Sequence, residues 1–160
     1  KYAVSASYAE NPFCLVVNGD NEEIKSFEDL DGKVCANSPS STAGQIAQSY
    51  GATTADADLT GAMDMLNTNR VDGHVNNVAA VDEYMKNRPD VNVKIAAVFQ
   101  PADDQKYMIE SAAMFRKEDQ ALCDKVSEII SEMIQDKTLY NLTVKYFGQT
   151  VADSVSLYNK

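Results

Sequence analysis

The sequence predicts an α/β fold, and three observations carry that prediction. Apolar, strand-like runs alternate with helix-length segments up to about residue 100, the pattern of βαβ units around a mainly parallel sheet. Beyond that point the pattern changes to one strand-like piece followed by two helices. Those two helices carry an apolar stripe, and residues 107–160 contain too little strand to cover it.

The elements follow in order. Residues 13–17 (FCLVV) read as a buried strand, stopped by the turn Asn18-Gly19-Asp20-Asn21. Ser26–Leu30 reads as a short helix, with Ser26 at the N-cap and Asp29 at the capping-box position. Asp31-Gly32 ends it and releases a strand over Lys33–Asn37. A hydroxyl-rich loop, Ser38-Pro39-Ser40-Ser41-Thr42, then runs into a helix over Ala43–Tyr50 that Gly51 closes. Leu59, Ala62, Met63 and Leu66 mark a helix within Asp58–Asn69. Val71–Val75 is a short strand with Asn76 and Asn77 at its C-terminal end, followed by a helix over Val78–Lys86 and a strand over Val91–Phe99. Ser111–Arg116 is the last strand-like piece. Helices over Asp119–Ile134 and Thr138–Phe147 follow it, the second ended by Gly148. The stripe of the first of these is Leu122, Val126, Ile129, Ile130 and Met133.

Composition excludes several functions. With 14 basic against 24 acidic residues, the net charge of -10 repels phosphate backbones and anionic membrane surfaces, so nucleic acid is not an expected partner. No segment approaches the roughly 18 consecutive apolar residues of a membrane-spanning helix. Cys14, Cys35 and Cys123 have no metal-ligand spacing, and buried free thiols are the simplest reading. A Cys14–Cys35 disulfide is the alternative if their strands adjoin.

Chemistry is sparse. His74 is the single histidine and reads as a structural residue, exposed or hydrogen-bonded. There is no G-x-S-x-G elbow, G-x-G-x-x-G turn or P-loop, so no catalytic residue, cofactor or metal is expected. Binding has better candidates. In open α/β sheets ligands lie beyond the carboxyl ends of the strands, and two loops here occupy that place. Asn37–Thr42 offers hydroxyls and a helix N-terminus, which suit a carboxylate. Asn76-Asn77 offers amides that both donate and accept.

Three segments then resemble one family in order and spacing. IKSFEDLDGKVCANSPSSTAGQIA (Ile24–Ala47) is similar to the "DLxGKxVav…GTt" segment of the family 3 solute-binding proteins. Those proteins deliver amino acids and related polar solutes to ABC importers. NRVDGHVNN (Asn69–Asn77) resembles their "GrvDavvxD" segment, and Ala112–Gly148 resembles their closing stretch. The resemblance implies a periplasmic-binding-protein-like fold of two α/β lobes joined by crossing strands. Residues 1–106 would form the second lobe with its incoming hinge strand. Residues 107–160 would supply the returning strand and the C-terminal helices of an incomplete, truncated first lobe.

By the same resemblance, Ser41 and Thr42 match positions that hold a ligand carboxylate, and Ser38 matches a position that often lines the site. Asn77 matches an acidic residue that pairs with the ligand ammonium, with Asn76 beside it. A neutral amide there demands less positive charge of the ligand. Ser40 stands where the family usually has glycine. The implied function is the extracytoplasmic solute-binding component of an ABC importer, in the periplasm or lipid-anchored at the cell surface. Its partners would be a small polar solute and a membrane permease. The runner-up is the ligand-sensing extracellular domain of a signalling receptor. An incomplete first lobe would expose an apolar patch, for which a homodimer formed by lobe completion or domain swapping is one remedy.

Overall fold

The structure, a computed structural model, describes residues 2–158, the side chains of Asp103 and Asp104 excepted. The strands are β1 (Tyr2–Glu10), β2 (Phe13–Asn18), β3 (Val34–Ala36), β4 (Thr53–Ala55), β5 (His74–Asn77), β6 (Val93–Val98) and β7 (Glu110–Arg116). The α-helices are α1 (Thr42–Ser49), α2 (Leu59–Asn67), α3 (Val78–Asn87), α4 (Gln120–Gln135), α5 (Thr138–Phe147) and α6 (Gln149–Ser154). The chain divides into two compact units, Phe13–Gln100 and the pair of segments Lys1–Pro12 and Pro101–Lys160. The sequence placed the boundary at residue 106. The structure instead groups the incoming strand and residues 101–106 with the C-terminal part, because β1 finds its partner in β7.

The Phe13–Gln100 unit is built around β2. Cys14, Leu15, Val16 and Val17 are all fully buried, as a strand covered on both faces requires. β2 pairs antiparallel with β5 on one side and β6 on the other. β3 pairs parallel with β4. Ala36 N–H donates to Gly73 O at 2.9 Å and Asp72 N–H to Val34 O at 2.9 Å, which joins β3 to the start of β5. The strand order is therefore β4-β3-β5-β2-β6. Four strands run one way, as the alternation of elements suggests, and β2 runs against them, which makes the sheet mixed. Leu30, Ile46, Met63, Leu66, Val75, Val78 and Val81 complete the core at less than 2% exposure. Each contributes roughly 1.5–3 kcal/mol by leaving water. The Ser26–Leu30 segment forms a 3₁₀ turn over Phe27–Leu30. The carboxylate of Asp29 accepts from Lys25 N–H and Ser26 N–H at 2.9 Å each, and these bonds hold it below the usual carboxylate range.

In the other unit β1 and β7 form an antiparallel ribbon that α4 covers on one side. Ser127 Oγ accepts Ala6 N–H at 3.0 Å and Ser5 Oγ accepts Ala113 N–H at 3.0 Å. Glu10 is buried at the end of β1. Its carboxylate accepts from Ser156 Oγ at 2.9 Å and Leu157 N–H at 3.3 Å, tying the ribbon to the last described residues. On α4, Cys123 and Ile130 are buried, whereas Leu122 (56%) and Ile129 (44%) are exposed. Leu142, Tyr146 and Phe147 of α5 are exposed as well. The apolar stripe read from the sequence is thus only half covered. Gly148 ends α5 at φ 89°, a conformation that favours glycine.

The three cysteines are free and buried. β5 lies between the strands that carry Cys14 and Cys35, so these do not adjoin and the disulfide alternative falls. Burial pushes both thiols up to about 12, with nearby Asp72 adding to the effect on Cys35. Because all three side chains are buried out of reach of solvent, a colorimetric thiol reagent at neutral pH is expected to label none of the three in the folded chain. In denaturant it should label all three. Rapid labelling of the native protein would contradict this packing.

Candidate functional site

The strands of the Phe13–Gln100 unit end where their helices begin, and at that rim lies an open pocket of about 390 Å³. Its lining gathers all five residues singled out in the sequence: Ser38, Ser41, Thr42, Asn76 and Asn77. It also takes in Asn37 at the start of the first loop, and adds some that the sequence did not single out for binding, among them Phe13, Asp58 and His74.

The first wall is the loop between β3 and α1. Ser41 caps α1, accepting Gly44 N–H on its Oγ at 3.0 Å while donating to Ser38 O at 2.8 Å. Its hydroxyl is therefore committed to the turn, which limits what it offers a ligand. The cap leaves the N–H groups of Thr42 and Ala43, the next two residues, without an acceptor inside the helix. Gly44 makes the turn possible. A Cβ there would lie 2.1 Å from Ser38 O, so no other residue lets the loop fold back onto the helix start. A glycine inside a helix costs about 1 kcal/mol relative to alanine, and that cost is the signal from which a close approach could have been read.

The second wall starts at Asp58, which caps α2 by accepting Gly61 N–H at 2.8 Å. Asp58 is exposed and is the one carboxylate in the lining. Asn77 stands at the N-cap of α3, so three helices of eight to ten residues begin at this pocket. Each presents partial positive charge from its first N–H groups, and an anion placed there is favoured by about 0.3–1 kcal/mol per helix.

The floor is a chain of buried polar groups. Asn37, 3% exposed, reaches from the end of β3 to β5. Its Nδ2 donates to Val75 O at 2.8 Å and its Oδ1 accepts Val75 N–H at 3.0 Å, so the side chain acts as one more residue of strand pairing. Beside it His74, 2% exposed, places Nδ1 2.5 Å from Ala36 O. A carbonyl oxygen only accepts, so Nδ1 carries the proton and Nε2 is bare. Asn76 Nδ2 then donates to Nε2 at 3.1 Å, and Asn76 Oδ1 accepts Asn77 N–H at 2.8 Å. Burial lowers the affinity of His74 for a second proton, with the bond to Ala36 acting weakly the other way. His74 is thus the hydrogen-bonded structural histidine of the sequence reading, and it underlies the site. Among the described residues no group of three or more His, Cys, Asp or Glu side chains could hold a metal ion.

Comparison with known proteins places this arrangement. The model of the bacterial extracellular solute-binding proteins, family 3, matches residues 1–149. The L-cystine-binding protein TcyA of Bacillus subtilis is 33% identical over 153 residues, covering 95% of this chain and 55% of the relative. A probable amino-acid ABC transporter-binding protein of Haemophilus influenzae is 28% identical over 152 residues, covering 94% of this chain and 57% of the relative. The chain therefore spans just over half the length of the curated relatives it matches. Among solved structures, the L-cystine solute receptor of Neisseria gonorrhoeae in its unliganded open conformation superposes with a TM-score of 0.75 at 29% identity. That match covers 94% of this chain and 62% of the receptor. The α/β architecture is that of the periplasmic binding proteins, and the chain belongs to family 3 of the bacterial extracellular solute-binding proteins.

Proposed function

We propose that this chain comes from the extracytoplasmic solute-binding component of an ABC importer for an amino acid or a similar small polar solute. The pocket of the Phe13–Gln100 unit would hold the polar head group of that solute. One observation carries this reading: three helix N-termini and a single carboxylate, Asp58, line the same 390 Å³ pocket. That combination suits a zwitterion. The carboxylate of the solute meets the N–H groups of Thr42 and Ala43 and the Thr42 hydroxyl at the start of α1. Its ammonium meets Asp58 and the side-chain carbonyl of Asn77.

Asn77 gives up charge at the position where the family commonly has an acid, and Asp58 supplies charge from the start of α2 instead. The relatives named for L-cystine make that disulfide-linked amino acid the first candidate solute. A permease is the partner this function requires, and an extracytoplasmic location follows from the family. The exposed α4 and α5 side chains support a further reading, that a second copy or more of the same polypeptide covers them in the assembled protein.

The test is a thermal-shift screen of the chain against L-cystine and the standard amino acids, followed by calorimetry on any hit. Saturable stabilisation by an amino acid is expected. Asp58→Asn keeps the helix cap, since Asn and Asp cap equally well. It should nevertheless weaken binding roughly tenfold by removing a charge-assisted bond. Asn77→Asp should tighten binding of the same zwitterion by a similar factor. Binding that ignores both substitutions, or no stabilisation by any amino acid, would overturn this assignment.

A further inference from the structure

The buried polar chain beneath the pocket has a consequence for how the site reads its ligand. Asn76 is amphoteric: its amide can present either a donor or an acceptor in a given direction, and a ligand is selected by whichever it meets. The direction is set by what lies behind it. His74 Nδ1 faces Ala36 O at 2.5 Å, a group that only accepts, so the ring proton resides on Nδ1. The bare Nε2 requires a donor, and Asn76 Nδ2 supplies it at 3.1 Å. With Nδ2 so placed, Oδ1 meets Asn77 N–H at 2.8 Å. Rotating the amide by half a turn would set Oδ1 against the lone pair of Nε2 and Nδ2 against the N–H of Asn77, breaking two bonds at once.

Resting on the solute-binding reading above, we propose that His74 is a positioning residue of this pocket. Its Nδ1–H tautomer fixes the orientation of the Asn76 amide. That orientation commits the Asn77 N–H to Asn76 and leaves the second Nδ2 hydrogen of Asn76 as the donor available to a ligand oxygen. The rim therefore favours solutes that present a carbonyl or carboxylate oxygen at Asn76 and disfavours those that present an N–H there.

The surroundings keep the ring neutral. From β2, Val16 lies opposite His74 and Cys14 opposite Asn76. From β3 comes Cys35, and both thiols are held neutral by burial. α1 contains no titratable side chain, and the titratable residues of α3 begin at Asp82, past its first turn. Asp58 is the one charged group in the pocket lining. It is exposed, and the two influences on the ring are its desolvation, which is the larger and lowers its proton affinity, and the bond to Ala36, which raises it. A histidine whose folded affinity for protons is lowered contributes stability that is present above about pH 6.5, its unfolded value, and is lost as pH falls below it.

Because His74 is the single histidine, long-range proton–nitrogen NMR reads its tautomer without assignment ambiguity. The expected spectrum shows a protonated Nδ1 and a bare Nε2 that persist below pH 6.5. A ring protonated on Nε2, or one titrating at about 6.5 in the folded chain, would overturn the proposal. His74→Leu removes the acceptor and should release the Asn76 amide. In calorimetry with L-cystine it should bind roughly threefold to tenfold more weakly, the worth of one hydrogen bond. His74→Gln restores an acceptor near the Nε2 position and should recover most of that loss. It should also flatten the fall in melting temperature between pH 6.5 and 5. Equal affinity in wild type, Leu and Gln variants would refute positioning even if all three fold. The ring spectrum needs no ligand, so failure of L-cystine to bind would count against the solute reading while the tautomer still decides this one.

Discussion

Strands that end at one rim must part to let their helices begin, and the backbone groups exposed by the parting have to be paired. This constraint shapes the Phe13–Gln100 unit more than any other. β3 and β5 run side by side until Ala36 and Gly73, after which the chain leaves for α1 on one side and continues to Asn77 on the other. Asn37 then stands in for the missing strand by pairing both backbone groups of Val75. His74 pairs the carbonyl of Ala36. Leaving such a buried group unmatched costs about 1–3 kcal/mol, so both side chains are fixed by folding before any ligand arrives. Site and fold are held by the same bonds.

The pocket that results has a field of opposite sense to the surface around it. The chain carries a net charge of -10, which repels anions at long range. Locally, however, α1, α2 and α3 all begin at the pocket, and their first N–H groups give it partial positive character. Asp58 sits at the start of α2 and offsets part of that field. A dipolar solute is accommodated by such a mixed site, whereas a simple anion or cation meets only part of it. Gly44 is the steric counterpart: without it the loop bearing Ser38 and Ser41 stands away from α1 and the first wall opens.

Much of this was legible from residue order. The apolar runs of β2 and β6, the helices near α1 and α2, and the loops at the strand ends all follow rules that act over a few residues. β1 did not announce itself, for a physical reason. Its buried positions include Ala3 and Ser5, while Tyr2, Val4 and Tyr8 face outward, so the usual alternation of apolar inside and polar outside is inverted. β4, three residues of Thr and Ala, is too short to show a pattern. The reversed direction of β2 is a matter of topology, to which local patterns are blind. The roles of Asn37 and His74 depend on partners 38 residues away, a distance at which side-chain type alone says nothing. Asp58 was visible as the start of a helix but not as a neighbour of Asn77, since only the fold brings them to one rim.

The central claim is that the rim formed by the starts of α1, α2 and α3 is where the solute binds. Backbone amide chemical-shift mapping during titration with the amino acid that stabilises the chain tests it most directly. The expected map places the largest shifts at Ser38–Ala43, Asp58–Thr60 and Asn76–Val78, with the Asn76 side-chain amide among them. Saturable shifts concentrated on α4 and α5, with those three segments unmoved, would contradict it.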